Sequence, residues 1–354
     1  MKPRRFSPSA AVLAILLSGA GIVGIGCFAS ATAAEAAAPA SANATQRVVV
    51  AANAFLATLD DAGRDKAVFA ADDEVQRKNW SNLPTGIYQR AGLRMGDLKP
   101  AQQDAAKAVL AAALSPMGYR KAMEIIEAEE QLRKEGQPGG IKFGRDEFYI
   151  SFVGKPSPAD RWIIQFGGHH LALNITVVGR DNLLTPSHTA TQPARYVVDG
   201  KTIRPLGEET DLSFQLINAL DEGQRKEAIL GAQMRDLVLG PGQDGKKIMP
   251  EGVKASSFSE AQKALLLDLA SKWVGIINDE AAAKKMAEIK SNLPETYFAW
   301  SGPTKPGTPA YFRIQGPTVF IEYAPQKLGG DPTMHLHTMY RDPSNDYGAQ
   351  LLKK

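Results

Sequence analysis

The chain repeats its own pattern, and that repetition constrains its fold more than any single motif. Leu59-Asp60-Asp61-Ala62-Gly63-Arg64-Asp65-Lys66-Ala67-Val68-Phe69 is matched by Leu220-Asp221-Glu222-Gly223-Gln224-Arg225-Lys226-Glu227-Ala228-Ile229-Leu230. Further on, Leu98-Lys99-Pro100-Ala101-Gln102 and its Ala-rich successor match Phe258-Ser259-Glu260-Ala261-Gln262 and a Leu-rich successor. Tyr149-Ile150-Ser151-Phe152-Val153-Gly154 then matches Tyr297-Phe298-Ala299-Trp300-Ser301-Gly302. Three matches in the same order point to duplication of one unit, with a first repeat over residues 47–210 and a second over 211–354.

Each copy reads as helices followed by strands. Residues Leu98 to Glu135 and Phe258 to Lys290 carry apolar side chains at three- and four-residue spacing, with Leu98-Lys99-Pro100 and Ser257-Phe258-Ser259-Glu260 as helix starts. Phe148 to Val153 and Trp162 to Phe166 are aromatic and β-branched runs separated by a Gly-Lys-Pro-Ser-Pro turn, a hairpin signal that Tyr297–Trp300, Tyr311–Gln315 and Thr318–Tyr323 repeat. The expected class is α+β: two pseudo-equivalent helix-then-antiparallel-strand repeats forming one duplicated globular unit. One shared sheet and two packed lobes are both compatible with this pattern.

The N-terminus reads as an export signal over residues 1–33. Lys2, Arg4 and Arg5 precede an apolar stretch from Ala10 to about Ile25, and Ala31-Thr32-Ala33 offers a cleavage site. Ser18, Gly19, Gly21, Gly24 and Gly26 interrupt the stretch, which argues against a membrane span. Residues 34–46 read as a flexible leader of small and polar residues. The expected compartment is therefore periplasmic or extracellular. Cys27 is the only cysteine, and Gly24-Ile25-Gly26 before it lacks the Leu of a lipoprotein signal, so lipid anchoring there is the less favoured reading. Cleavage leaves no thiolate, so any metal must be held by His, Asp, Glu or water. The formal charge of +3 for the whole chain includes the basic signal residues, and no basic stripe interleaved with aromatics suggests nucleic acid.

Only 5 histidines occur, yet four of them form two groups, His169-His170 and His335-Leu336-His337. On a strand, His335 and His337 share a face, because side chains alternate. His169 and His170 would face opposite ways unless a bulge at Gly167-Gly168 turns the chain. Glu322 lies on the strand expected to form a hairpin with the His335–Arg341 segment. One or two histidines from each group plus Glu322 would make a nitrogen-and-oxygen site for zinc, copper or iron. The competing reading is of strand histidines hydrogen-bonded within the sheet, His337 being oriented by Asp342 or Asp346.

In the run Arg341-Asp342-Pro343-Ser344-Asn345-Asp346-Tyr347-Gly348, most residues suit a turn, while Arg341 and Asp346 are candidates for catalytic support or for orienting a ligand. His188, in Pro186-Ser187-His188-Thr189, reads as a solvated loop residue. Gly240-Pro241-Gly242-Gln243-Asp244-Gly245 lacks the Lys-Ser/Thr of a phosphate-binding loop, and no nucleophile elbow or haem attachment motif is present.

Several of these segments together resemble a known family. They are Gly167-Gly168-His169-His170-Leu171-Ala172-Leu173-Asn174, Tyr311-Phe312-Arg313-Ile314-Gln315-Gly316-Pro317, His335-Leu336-His337-Thr338, Arg341-Asp342-Pro343 and Asn345-Asp346-Tyr347-Gly348. The resemblance is to the bacterial and fungal family catalogued as domain of unknown function 3500, over nearly all of the chain beyond the signal. It brings no established reaction, and it places the histidines, Glu322, Arg341 and Asp346 at motif positions. The functional expectation is an exported protein that binds a transition metal for metal handling. The alternatives are a metal-dependent hydrolase or oxidoreductase on the same residues, and a protein that binds a small-molecule ligand or a partner without metal.

Overall fold

The computed structural model describes residues 42–351. The expected signal and Cys27 lie outside the described residues. The leader is shorter than expected at its C-terminal end, because α1 (Ala44–Ala57) starts where Asn43 and Gln46 cap one another reciprocally.

After α1 come α2 (Asp61–Ala67), β1 (Val68–Phe69), the single turn α3 (Glu74–Arg77), β2 (Leu93–Arg94), α4 (Pro100–Ala113) and α5 (Pro116–Glu135). Four strands follow: β3 (Tyr149–Val153), β4 (Trp162–Gly168), β5 (Leu171–Val178) and β6 (Asp181–Thr191). A small hairpin, β7 (Tyr196–Val198) and β8 (Lys201–Ile203), leads into α6 (Gly207–Ala219), α7 (Glu222–Ala228), β9 (Val253–Lys254), α8 (Glu260–Val274) and α9 (Asp279–Ser291). Four more strands end the chain: β10 (Tyr297–Ser301), β11 (Tyr311–Gly316), β12 (Val319–Pro325) and β13 (Leu336–Arg341).

Each long periodic stretch is two helices, not one. Ser115 caps Gly118 N–H and Pro116 opens α5, while Asn278 caps Ala281 N–H and opens α9. The two breaks meet: Leu114 bridges Ile277, and Ser115 N–H donates to Ile276 O at 3.0 Å. Gly118 is required there, since a Cβ would lie 2.0 Å from Ile276 O.

The two strand groups share one 11-stranded sheet in the order β1-β3-β4-β5-β6-β13-β12-β11-β10-β9, with β2 also on β3. Only β1 and β3 run parallel. The last strands of the two groups, β6 and β13, pair antiparallel at the centre, with Ala190 opposite His337 and His188 opposite Met339. The helices cover one face. Phe55, Val109, Leu110 and Ile125 pack on Ile150, Phe152 and Ile164, and Phe214, Leu266 and Trp273 pack on Phe298, Trp300 and Phe312. Burying each such side chain contributes roughly 1.5–3 kcal/mol.

Directly opposed residues share a face of a sheet. The register therefore lays Tyr149, Gly167, Ala172, His188, Met339, Glu322 and Arg313 in one row across β3, β4, β5, β6, β13, β12 and β11. This row carries polar groups into the interior. Trp80 packs on it beside Ala172 and Met339.

Candidate metal centre

Both histidine groups are brought together, although a long stretch of chain separates them. His169 and His170 form the tight turn joining β4 to β5, and His170 adopts φ 63, a left-handed conformation uncommon outside glycine. The turn does what an ideal strand would not: it stacks the two rings with centroids 3.5 Å apart. His335 and His337 flank Leu336 at the start of β13.

Three Nε2 atoms converge. His335 Nε2 lies 3.0 Å from His170 Nε2 and 2.9 Å from His337 Nε2. Each ring has a polar neighbour at its other nitrogen. His335 Nδ1 is 2.6 Å from Leu328 O, His170 Nδ1 is 2.6 Å from Glu129 Oε1, and His337 Nδ1 is 3.3 Å from Asn82 Nδ2, a donor. Leu328 O can only accept, so His335 Nδ1 carries the proton; the Glu129 carboxylate lies at contact distance from His170 Nδ1, though out of hydrogen-bond alignment, and favours a proton there too, so both Nε2 atoms present lone pairs. Two bare lone pairs 3.0 Å apart repel unless a proton or a cation lies between them. Nitrogens on one tetrahedral zinc ion would stand about 3.3 Å apart, given zinc–nitrogen bonds of about 2.0–2.1 Å.

Electrostatics favour neutral rings. Burial pulls His170 down to about 3, and it holds His335 below and His337 well below the usual histidine range. Burial alone would raise Glu129, but His169 and then His170 outweigh it and hold the carboxyl at about 2, so it is ionised. His169 Nδ1 also reaches this carboxylate, at 3.0 Å.

Glu129 was not singled out in the sequence, yet a signal was present. On α5 the residues Ala122, Ile125 and Leu132 mark the buried stripe, and Glu129 falls on it. A carboxylate on an apolar stripe needs a partner.

His188 contradicts its reading as a solvated loop residue: it stands on central strand β6 and is fully buried. Pro186, Ser187 and Thr189 look like loop residues, but strands on both sides pair Ser187 and Thr189, and Pro186 falls where the β5–β6 register shifts. Its ring meets that of His337 at 5.3 Å between centroids, and neither nitrogen has a hydrogen-bond partner. Burial places its pKa well below the usual value.

Glu322 is on the hairpin partner of β13, as expected, opposite Met339. Its carboxylate faces a different segment, accepting from Val238 N–H at 2.9 Å, Leu239 N–H at 2.8 Å and Tyr311 O–H at 2.6 Å. Arg341 fastens the same segment, donating to Leu239 O at 2.8 Å, Gly240 O at 3.1 Å, and to Asp244 and Asp346 at 2.9 Å each. Asp342 pairs with Lys285 at 2.6 Å. His337 is thus oriented by Asn82, and Asp342 and Asp346 are engaged elsewhere.

Among the described residues two groups have ligand atoms within 4.8 Å of one another: His170, His335 and His337; and Glu129, His169 and His170. Against known proteins, a family model described as Protein of unknown function (DUF3500) matches residues 41–349. The chain belongs to the DUF3500 family. No curated protein and no solved structure matches this DUF3500 chain. Among the described residues, no helix is long and apolar enough to cross a membrane.

Proposed function

We propose that this DUF3500 protein binds one transition-metal ion through His170, His335 and His337, for the handling of that metal outside the cytoplasm. The observation that carries this reading is the convergence of three Nε2 atoms, with His170 and His335 each turning Nδ1 to a fixed acceptor. A metal-bound imidazole needs this outer support to fix its tautomer and orientation. Neutral nitrogen donors suit zinc, copper or iron, and make a poor site for calcium or magnesium. In this reading Glu129 and His169 form the outer layer, while Glu322, Arg341 and Asp346 hold the 238–244 segment against the sheet.

Export rests on the basic, apolar and small-residue pattern of residues 1–33. Duplication is supported by the order of elements. In both halves a short helix capped by an Asp (Asp60, Asp221), a two-residue strand leading into a 3-10 turn, two longer helices and four antiparallel strands follow one another. The histidines and Glu129 fall at different places in the two halves, as expected for one asymmetric site near the junction of β6 and β13.

Three imidazoles leave a tetrahedral ion one open position, which favours a metal-dependent hydrolase or oxidoreductase as the second reading. Titration of the metal-free full chain with Co(II) tests the site. An intense tetrahedral visible spectrum saturating at one equivalent is expected, and only the weak spectrum of the hydrated ion would refute it.

A further inference from the structure

A second polar feature lies in the same row of the sheet, toward β3. Arg90 enters over this face and commits one nitrogen, Nη2, to three carbonyl oxygens: Ser81 at 2.7 Å, Leu83 at 2.6 Å and Gly168 at 2.7 Å. Its other terminal nitrogen, Nη1, is buried and has no partner. Among the described residues no carboxylate forms a salt bridge with Arg90, whereas neighbouring Arg94 grips Glu147 at 2.6 Å. Burial lowers Arg90 to about 10, and Tyr149, Tyr88 and the more distant Glu129 and Glu147 only partly oppose the shift. The three carbonyls and the Tyr88 ring, 5.4 Å from the guanidinium, satisfy one side of Arg90, and a buried donor left unmatched at Nη1 costs about 1–3 kcal/mol.

Arg90 lines a cavity of about 30 Å³, together with Tyr149, Ser81, Gln76, Gln165 and Asn174. Each amide oxygen of this wall already accepts a hydrogen bond. Asn79 donates to Gln76 Oε1 at 3.1 Å, Gln76 to Gln165 Oε1 at 2.9 Å, and Gln165 to Asn174 Oδ1 at 3.1 Å. Ser81 Oγ accepts from Leu83 N–H at 3.1 Å, which leaves its own hydrogen free. The wall therefore offers donors and a positive charge. The space takes about one or two water-sized groups and opens to solvent, so the rest of a ligand lies outside it.

We propose that this cavity binds the carboxylate group of a small organic acid, with Arg90 Nη1 as the charge partner and Tyr149 as a second donor. The two donors, Arg90 Nη1 and the Tyr149 hydroxyl, match the two coplanar oxygens of a carboxylate. A guanidinium edge is suited to this pairing, because it directs N–H groups at a carboxylate in a fixed geometry. The cavity shares its row with His188, and Arg90 holds the Gly168 carbonyl just ahead of His169, so a bound acid would lie beside the histidine cluster. The site does not depend on the metal reading.

The test is saturation-transfer NMR on the full chain, both metal-stripped and metal-loaded, with acetate and N-acetyl-alanyl-alanine as separate probes and inorganic phosphate as a competitor against acetate. Acetate is expected to give a saturable signal in both forms that added phosphate leaves in place, and displacement by phosphate would overturn the assignment to a carboxylate. The signal should vanish in Arg90→Gln and weaken several-fold in Tyr149→Phe, which leaves the three carbonyl bonds of Arg90 in place and decides the matter if Arg90→Gln does not fold. A signal from the acetylated dipeptide stronger than that from acetate would replace a free acid by a peptide C-terminus as the occupant. No acetate signal in the parent chain, or one unchanged in both variants, would overturn the proposal.

Discussion

His170 Nε2 and His335 Nε2 lie 3.0 Å apart, although 165 positions separate them in the chain. His335 is the hub of the cluster, since its Nε2 also meets His337 Nε2 at 2.9 Å. Substituting His335→Ala should therefore weaken metal binding by more than about 100-fold, beyond the range seen when an outer-layer partner is lost. Competition against a chromophoric chelator measures this, and unchanged affinity would remove His335 from the ligand set.

Glu129 fixes the other side of His170, its Oε1 lying 2.6 Å from Nδ1. Glu129→Gln keeps the size of the side chain but removes the charge that favours a proton on Nδ1. Metal affinity should drop by about 10–100-fold. Circular dichroism should show the fold retained, and a variant with parental affinity would show that the carboxylate plays no part.

Glu322 provides a separable control. Its carboxylate accepts the backbone N–H groups of Val238 and Leu239. Glu322→Gln should destabilise the protein by about 1–3 kcal/mol through buried amides left poorly paired. Hydrogen exchange at those two amides should accelerate while metal stoichiometry stays at that of the parent. Loss of metal in this variant would instead bring Glu322 into the ligand set.

Acid should destabilise the metal-free chain. The buried histidines have folded pKa values below the free value of 6.5, His170 at about 3. The unfolded chain takes up protons below pH 6.5 that the folded chain refuses, so stability is fully present above that pH and is lost as pH falls. For His170 the window runs from pH 6.5 to about 3, at about 1.4 kcal/mol per pH unit. Urea unfolding of chelator-treated protein at pH 7 and pH 5 measures the slope, and equal stability at both would show that these rings are not held neutral.

Periodicity and turn chemistry made the fold class and most strands legible in the sequence, because Trp162, Tyr297 and Tyr311 begin runs that only pleated, half-buried surfaces accommodate. Less legible were features set by distant contacts. Ser115-Pro116 and Asn278 mark the breaks in the two long helical patterns, but no local signal announces that Leu114 and Ile277 meet there. His188 was misread because the polar run around Pro186 looks like a loop until its neighbours in β5 and β13 are known. The two histidine groups could be paired by composition, but Glu129 and Asn82 belong to segments whose approach depends on the whole sheet.

The central claim concerns one ion on three imidazoles. Plasma mass spectrometry of the protein purified from its native compartment, beside a His170→Ala/His337→Ala double variant, tests it most directly. The account predicts close to one zinc, copper or iron per chain in the parent and a small fraction of that in the variant. Metal absent from both, or retained equally by both, would contradict it.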